Sequence, residues 1–240
     1  MPRVPVRPRV IHCDTCTSRG SGAFCELSEK HLCELDRAKT TNRYHPHQVI
    51  FYEGNHPFGV YCVSSGKVKI YKSDLDGHQD IVRIAGPGDL LGYRCILAGE
   101  AYMATAETLD EAEICFLDRK TFLHIVETHP VTALKIMQSL AKDLREAEDH
   151  VSRVVHRSVR ERLAELFLIF QTKYGVKSER GVRLNLELTR AEWAELIGTT
   201  QESVIRLMSE FRQEKLIGVE GRLITLFDLS RLATVANLVD

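Results

Sequence analysis

The segment Thr189–Met208 reads TRAEWAELIGTTQESVIRLM. Thr189 and Glu192 have capping-box spacing, in which a hydroxyl accepts the third helical N–H and the carboxylate reaches back to the cap. A short helix is expected to start there and end at Ile197. Gly198 follows, where a sharp turn needs positive φ. Thr199-Thr200-Gln201-Glu202 caps a second helix predicted to run to about Lys215. Two helices joined by a short glycine turn make a helix-turn-helix. Ala194, Leu196 and Ile197 can pack on Val204, Leu207 and Met208. That leaves Thr200, Gln201, Glu202, Ser203 and Arg206 on the first turns of the second helix, the part that enters the major groove in this motif. A glutamate can accept from cytosine N4, and an arginine can pair with guanine through two bonds. Ile217–Ile224 reads as a hairpin, a wing. On spacing alone, a helical hairpin that touches no DNA is the alternative.

Upstream, Ser158-Val159-Arg160-Glu161 is another capping box. It opens an amphipathic helix to about Tyr174, which Gly175 can end. Before it, Leu134, Met137, Ala141, Leu144, Glu148, Val151 and Val155 step by alternating threes and fours. That is a heptad seam, and so narrow an apolar stripe suits a second copy of the same helix. A core-facing helix within a monomer is the alternative. Glu148 interrupts the seam, so two carboxylates would approach across a two-fold axis. Between about 45 and 120 the pattern changes to short β-like runs, Val49–Tyr52, Val60–Val63 and Val68–Tyr71, separated by glycines. Asp76-Gly77 supplies a hairpin turn. Many short strands with no helical period between them predict a β-roll or barrel. Residues 1–10, with three Arg and three Pro, read as an extended tail.

The 240 residues suffice for two domains. With 32 basic and 33 acidic residues the net charge is -1, which excludes a uniformly basic nucleic-acid coat but not a local basic face. No run approaches the roughly 18 apolar residues of a membrane span. The N-terminus lacks the apolar core of a signal peptide, so a cytoplasmic location is expected. Seven cysteines in a reducing compartment read as metal ligands, redox groups or core residues rather than a disulfide framework. Four of them, Cys13, Cys16, Cys25 and Cys33, crowd into one N-terminal stretch around the flexible Arg19-Gly20-Ser21-Gly22. Thiolates suit zinc or iron–sulfur clusters. Cys62 reads as a core hydrophobe, Cys33 as an exposed helical neighbour, and Cys95 lies in a turn. His45-x-His47 reads as a surface pair.

The whole ordering resembles the cyclic-AMP receptor protein/Fnr superfamily of bacterial transcription regulators, over nearly the entire chain. The resemblance implies an α+β fold. A tail and cysteine loop (1–34) would precede a β-roll sensor (35–128), a dimerisation helix (129–157) and a winged helix-turn-helix (158–240). Gly198-x3-Glu202-x3-Arg206 looks like the family's recognition helix, although Ile205 stands where serine is usual. The family's cyclic-nucleotide clamp is missing after Gly88-Asp89-Leu90-Leu91-Gly92, where Tyr93-Arg94-Cys95 and Ala101–Thr105 follow, so no cyclic nucleotide is expected. His12–Cys16 is similar to the start of the Fnr cluster loop, and Leu27–Asp36 to the helix after it. That likeness implies an iron–sulfur cluster, 4Fe-4S, on Cys13, Cys16, Cys25 and a fourth cysteine from the roll, Cys115. Eight residues separate Cys16 from Cys25, a longer gap than in the best-known members. The implied function is a homodimeric, oxygen-responsive, non-enzymatic regulator that binds near-palindromic DNA and meets RNA polymerase, with Met137, Ala141, Leu144, Glu148, Val151 and Val155 at the dimer interface. Alternatives are a thiol- or zinc-based regulator of the same fold, with Cys33 completing a zinc set, and an iron–sulfur electron carrier.

Overall fold

In the computed structural model, residues 12–18, 20 and 22–238 are described. The expected tail at 1–10, and Arg19 and Ser21 of the loop, lie outside them. Helix α1 (Glu29–Ala38) precedes strands β1 (Thr40–Tyr44), β2 (Val49–Phe51), β3 (Gly59–Ser65), β4 (Val68–Ser73), β5 (Gln79–Ala85) and β6 (Leu90–Leu91). Helix α2 (Tyr93–Ala98), strands β7 (Thr105–Thr108) and β8 (Ala112–Asp118), and helices α3 (Arg119–Thr128) and α4 (Pro130–His156) follow. Then come α5 (Val159–Tyr174), β9 (Gly175–Ser178), β10 (Gly181–Leu184), α6 (Arg190–Ile197), α7 (Gln201–Gln213), β11 (Ile217–Glu220), β12 (Leu223–Leu226) and α8 (Leu229–Val235). The chain forms two compact units that divide inside α4, between Leu144 and Arg145.

In the first unit two four-stranded sheets, β1-β8-β3-β6 and β2-β7-β4-β5, make the expected roll. Successive strand residues point to opposite faces. Val63 and Ile114 therefore join Val68, Ala85, Leu91, Ala106 and Ala112 in one core. Their neighbours Val60 and Leu117 face the other way, into a second core with Leu32 and Leu35 of α1, Phe122 and Ile125 of α3, and Ile136 of α4. Cys95, expected in a turn, lies on α2, a single helical stretch opened by Gly92 at φ 78. Six residues give too short a periodic pattern to see in sequence.

The second unit is built on Phe167, Phe170, Trp193 and Phe211, which contact one another with ring centroids 5.1–6.1 Å apart. The capping boxes at Ser158 and Thr189 both form. Gly198 sits at φ 64, ψ 60, in the left-handed region that the turn requires. Helix α7 stops at Gln213, two residues before the expected end, because Lys215 takes φ 57. The Leu216 N–H then donates to Phe211 O at 2.9 Å, the bond pattern of a Schellman end. Gly175 ends α5 in an extended conformation, φ -72, because it starts β9. The wing at β11–β12 is the edge of a four-stranded sheet, β11-β12-β10-β9, whose other half the sequence reading missed.

Asp143 of α4 ties three elements of the first unit together. Its carboxylate accepts from Arg83 Nη1 of β5 at 2.7 Å and from the Tyr93 hydroxyl of α2 at 3.0 Å. Arg83 also pairs with Asp89 at 3.0 Å. Burial, together with the Asp143 charge, pushes the Tyr93 phenol well above its ordinary pKa. The Asp143 side chain is only 11% exposed, so removing it takes the partner from the Tyr93 hydroxyl and leaves Arg83 with only Asp89 of these two carboxylates. Asp143→Ala is expected to lower unfolding free energy by about 3 kcal/mol, read as a lowered urea midpoint. A shift worth under ~0.5 kcal/mol, the scale of an exposed pair, would show a solvent-screened contact.

Candidate metal centre and nucleic-acid interface

The pleat decides where the thiols go. Cys115 on β8 lies opposite Cys62 on β3 and opposite Thr41 on β1. Both cysteines share the outward face with Val60 and Leu117. The described residues between 12 and 28 fold over that face, and Cys13, Ala23 and Phe24 pack on the core that includes Leu32 and Leu35 of α1. The result is one cavity lined by Cys13, Cys16, Cys25, Cys62 and Cys115, with Phe24, Leu32, Leu35, Val60 and Leu117 supplying apolar wall and Ser18, Ser64 and Lys39 the polar part.

The loop is tied down through Asp36 of α1. Its carboxylate accepts from the Cys13 backbone N–H at 2.9 Å, and His12 Nδ1 and Lys39 Nζ lie 2.7 and 3.0 Å away. Burial alone would raise the Asp36 pKa. Hydrogen bonds from His12, Lys39 and the Cys13 N–H outweigh it and hold the carboxyl well below the usual range. Cys16 Sγ is in hydrogen-bond contact with Ser18 Oγ at 3.0 Å and Ser64 Oγ at 3.5 Å, and Cys115 Sγ with Thr41 Oγ1 at 3.5 Å. Burial pushes the Cys13 and Cys62 thiols up to about 12, and raises Cys115 as well. As free groups these are neutral thiols in apolar surroundings.

All four cysteines expected as ligands thus line the same cavity. Cys33 is exposed, and neither it nor Cys95 is part of the lining. The fifth lining thiol, Cys62, was read from sequence only as a core residue. Its place follows from the β3–β8 register, which no local pattern announces. The spread of the sulfurs bears on the metal. A tetrahedral zinc with Zn–S near 2.3 Å needs sulfurs about 3.8 Å apart. Among the described residues, no three thiols all lie within 4.8 Å of one another. The trio that does is Asp74, Asp76 and His78, exposed on the β4–β5 turn, where Asp74 accepts backbone N–H bonds from the other two. Thiols spread around an apolar cavity fit a polynuclear iron–sulfur group between them better than a single ion. His45 and His47 are exposed on the surface, as expected.

In the second unit α6, the Gly198 turn and α7 form the helix-turn-helix. Val204, Leu207 and Met208 are buried with Ala194 and Ile197. Gln201, Glu202 and Arg206 are exposed. Thr200 and Ser203 are engaged with each other: the Ser203 N–H donates to Thr200 Oγ1, and the Thr200 hydroxyl donates to Ser203 Oγ at 3.1 Å. Those two build the helix start. Arg206 lies against Glu210 at 3.2 Å with two-thirds of its side chain exposed. Glu210 in turn pairs with Arg160 of α5. Ile205 points outward, half exposed.

Residues 41–129 match the cyclic nucleotide-binding domain family, and residues 161–235 match the Crp-like helix-turn-helix domain. The chain belongs to the cyclic-AMP receptor protein/Fnr superfamily. A CRP-like cAMP-activated global transcriptional regulator of Mycobacterium tuberculosis is 27% identical over 188 residues, 78% of this chain and 84% of that protein. The fumarate and nitrate reduction regulatory protein of Vibrio cholerae is 22% identical over 95% of this chain and 91% of its own length. The solved structure of FixK2 from Bradyrhizobium japonicum covers 82% of this chain and 96% of that one, with 26% identity and a TM-score of 0.75. This superfamily member is a DNA-binding transcription regulator and not an enzyme. Among the described residues, no helix is long and apolar enough to cross a membrane.

The Asp36 anchor makes a local prediction. Asp36→Ala removes two contacts to the loop, at His12 and Cys13, and one to Lys39, and is expected to cost about 1–3 kcal/mol of local stability. Hydrogen exchange at the Cys13 amide should speed by roughly 10-fold or more while exchange in β3 and β8 is unchanged.

Proposed function

We propose that this regulator senses oxygen through an iron–sulfur cluster, 4Fe-4S, held by Cys13, Cys16, Cys25 and Cys115. The observation that carries the reading is the single cavity bringing three loop thiols to a thiol of the roll. When bound, the cluster supplies an oxidisable tie between loop and roll. The chain's own residues do the rest. Asp36 holds the loop at Cys13, and Thr41 orients Cys115. Apolar Phe24, Leu32 and Leu35 keep water from the thiols. The core under the loop includes Ile136 and is flanked by Leu140, so the loop's position bears on the packing of α4.

On α4 the seam residues Leu134, Met137, Leu144, Val151 and Val155 are each 52–68% exposed. Ala141 and Glu148 are exposed with them. An apolar stripe of that spacing is suited to a second copy, which makes the 129–157 segment the dimerisation element. Two recognition helices in a dimer then address half-sites about one DNA turn, ~34 Å, apart on a near-palindrome. Thr200 and Ser203 set the start of α7, and Gln201, Glu202 and Arg206 face the bases. RNA polymerase is the further partner, and the cytoplasm, where DNA and polymerase are found, the location. The roll at 35–128 acts as the sensor scaffold without cyclic nucleotide. Tyr102, in the segment where a phosphate clamp would fall, is buried with its hydroxyl donating to Gly59 O at 3.2 Å, and Met103 is exposed. The zinc alternative is disfavoured by the spread of the thiols.

Iron and labile sulfide in protein purified without oxygen test the ligand set. Serine at Cys13, Cys16, Cys25 or Cys115 is expected to abolish both, and serine at Cys33 or Cys95 to leave them. A colourless wild type carrying zinc would replace this reading with the zinc regulator. For the DNA face, Arg206→Ala is expected to cost about 1–3 kcal/mol of discrimination between matched and scrambled sites, and Glu202→Ala to relax one base pair per half-site. Equal loss on both DNAs would assign these side chains to phosphate.

A further inference from the structure

Cys62 has no place in the four-ligand set, yet it lines the same cavity as Cys115. The two residues are direct cross-strand partners in the antiparallel β3–β8 pair. Directly opposite residues have Cα atoms about 4.5–5.5 Å apart and side chains on one face. A disulfide spans Cα separations of about 4.4–6.8 Å. The pair is also fixed differently from the other thiols. Cys13, Cys16 and Cys25 sit on a loop held by hydrogen bonds and packing, whereas Cys62 and Cys115 belong to neighbouring strands and stay side by side whatever the loop does.

We propose that Cys62 is a resolving thiol for Cys115: once the metal site is empty, a hydroperoxide oxidant joins the two in a cross-strand disulfide. The inference rests on the reading of Cys115 as a ligand. The chemistry balances with hydrogen peroxide. The Cys115 thiol gives up its proton, the thiolate sulfur attacks one peroxide oxygen, the O–O bond breaks, and the other oxygen leaves as water with that proton. The Cys62 sulfur then attacks the resulting sulfenic acid. The S–S bond forms, the S–O bond breaks, and a second water leaves with the Cys62 proton. Two thiols and one peroxide become one disulfide and two waters. Pairing protects Cys115 from irreversible over-oxidation. It also blocks reloading until a dithiol reductant reopens the bond, so recovery of the regulator follows the cell's thiol pool and not oxygen removal alone.

The test uses the full-length chain, stripped of metal with a chelator and treated with hydrogen peroxide. Free thiols are alkylated, and the protein is digested without reduction. Trypsin alone leaves Cys95 and Cys115 on one peptide between Arg94 and Arg119, so a glutamate-specific protease is added to cut at Glu107, Glu111 and Glu113. The expected product is a Cys62 peptide linked to a Cys115 peptide, separated by dithiothreitol. A Cys115 joined to a loop cysteine, or oxidised to the sulfinic acid beside a free Cys62, overturns the proposal. So does loss of iron from anaerobic Cys62→Ala protein, which would make Cys62 a ligand. The ligand reading fails separately, if Cys115→Ser keeps full iron, and that result leaves the wild-type cross-link measurement intact.

Discussion

The alternation of β3 and β8 is the constraint on which the sensor unit depends. Val63 and Ile114 must face the interior of the roll, and Val60 and Leu117 the helices outside it. With those residues placed, a period of two leaves Cys62 and Cys115 no choice but the outer face. A one-residue slip of either strand would turn its thiol into the roll and expose the valine or isoleucine that fills it. The hydrophobic core thereby fixes where these two thiols stand, and the loop is folded down onto a prepared surface.

What could be read from the sequence was local. The caps at Ser158, Thr189 and Thr200, and the positive φ at Gly198, are set by residues within a few positions of one another. The helix-turn-helix was therefore legible nearly to its ends. The seam on α4 was legible because a heptad pattern repeats. The misses were non-local. Nothing near Asp36 says that it will hold Cys13 across 23 positions, and nothing near Cys62 names Cys115 as its neighbour across 53. The pairing of β9 and β10 with the wing depends on Val182 meeting Leu226, a contact that only the folded unit provides. The crowding of cysteines at 13–33 was visible in the sequence and left zinc and iron–sulfur groups both open, while Cys115 as the fourth ligand came from the likeness to a known family.

The first unit shows how a state of the loop can reach α4. Two independent links converge there. One is apolar, the shared core in which Phe24 of the loop and Ile136 of α4 are both packed. The other is polar, Asp143 held by Arg83 and Tyr93. Arg83 also grips Asp89 in the turn at 86–89, and Gly22 of the cysteine loop passes close to that turn: a Cβ at Gly22 would lie 3.3 Å from Gly88 O. A loop that moves therefore disturbs both the core beside α4 and the turn that orients its charged anchor. Neither link needs a large displacement, because packed side chains and buried ion pairs do not deform smoothly.

The seam then has to be weak enough to respond. Burying an exposed Leu, Met or Val contributes about 1.5–3 kcal/mol, and α4 offers several such residues along one stripe. A continuous stripe would pair so strongly that small changes at the loop could not open it. Glu148 lies within that stripe, exposed between Leu144 and Val151. Arg153 is drawn to Glu165 of α5 at 3.8 Å, alongside Arg157 at 3.3 Å, which leaves Arg145, three residues before Glu148 and exposed, as the cation at helical spacing from it. In a symmetric pair two such carboxylates meet, and an unpaired buried charge costs several kcal/mol. In the proposed dimer the apolar residues favour association and Glu148 subtracts from it. A seam weakened at that one position is more easily opened by a change in α4 packing than a continuous one.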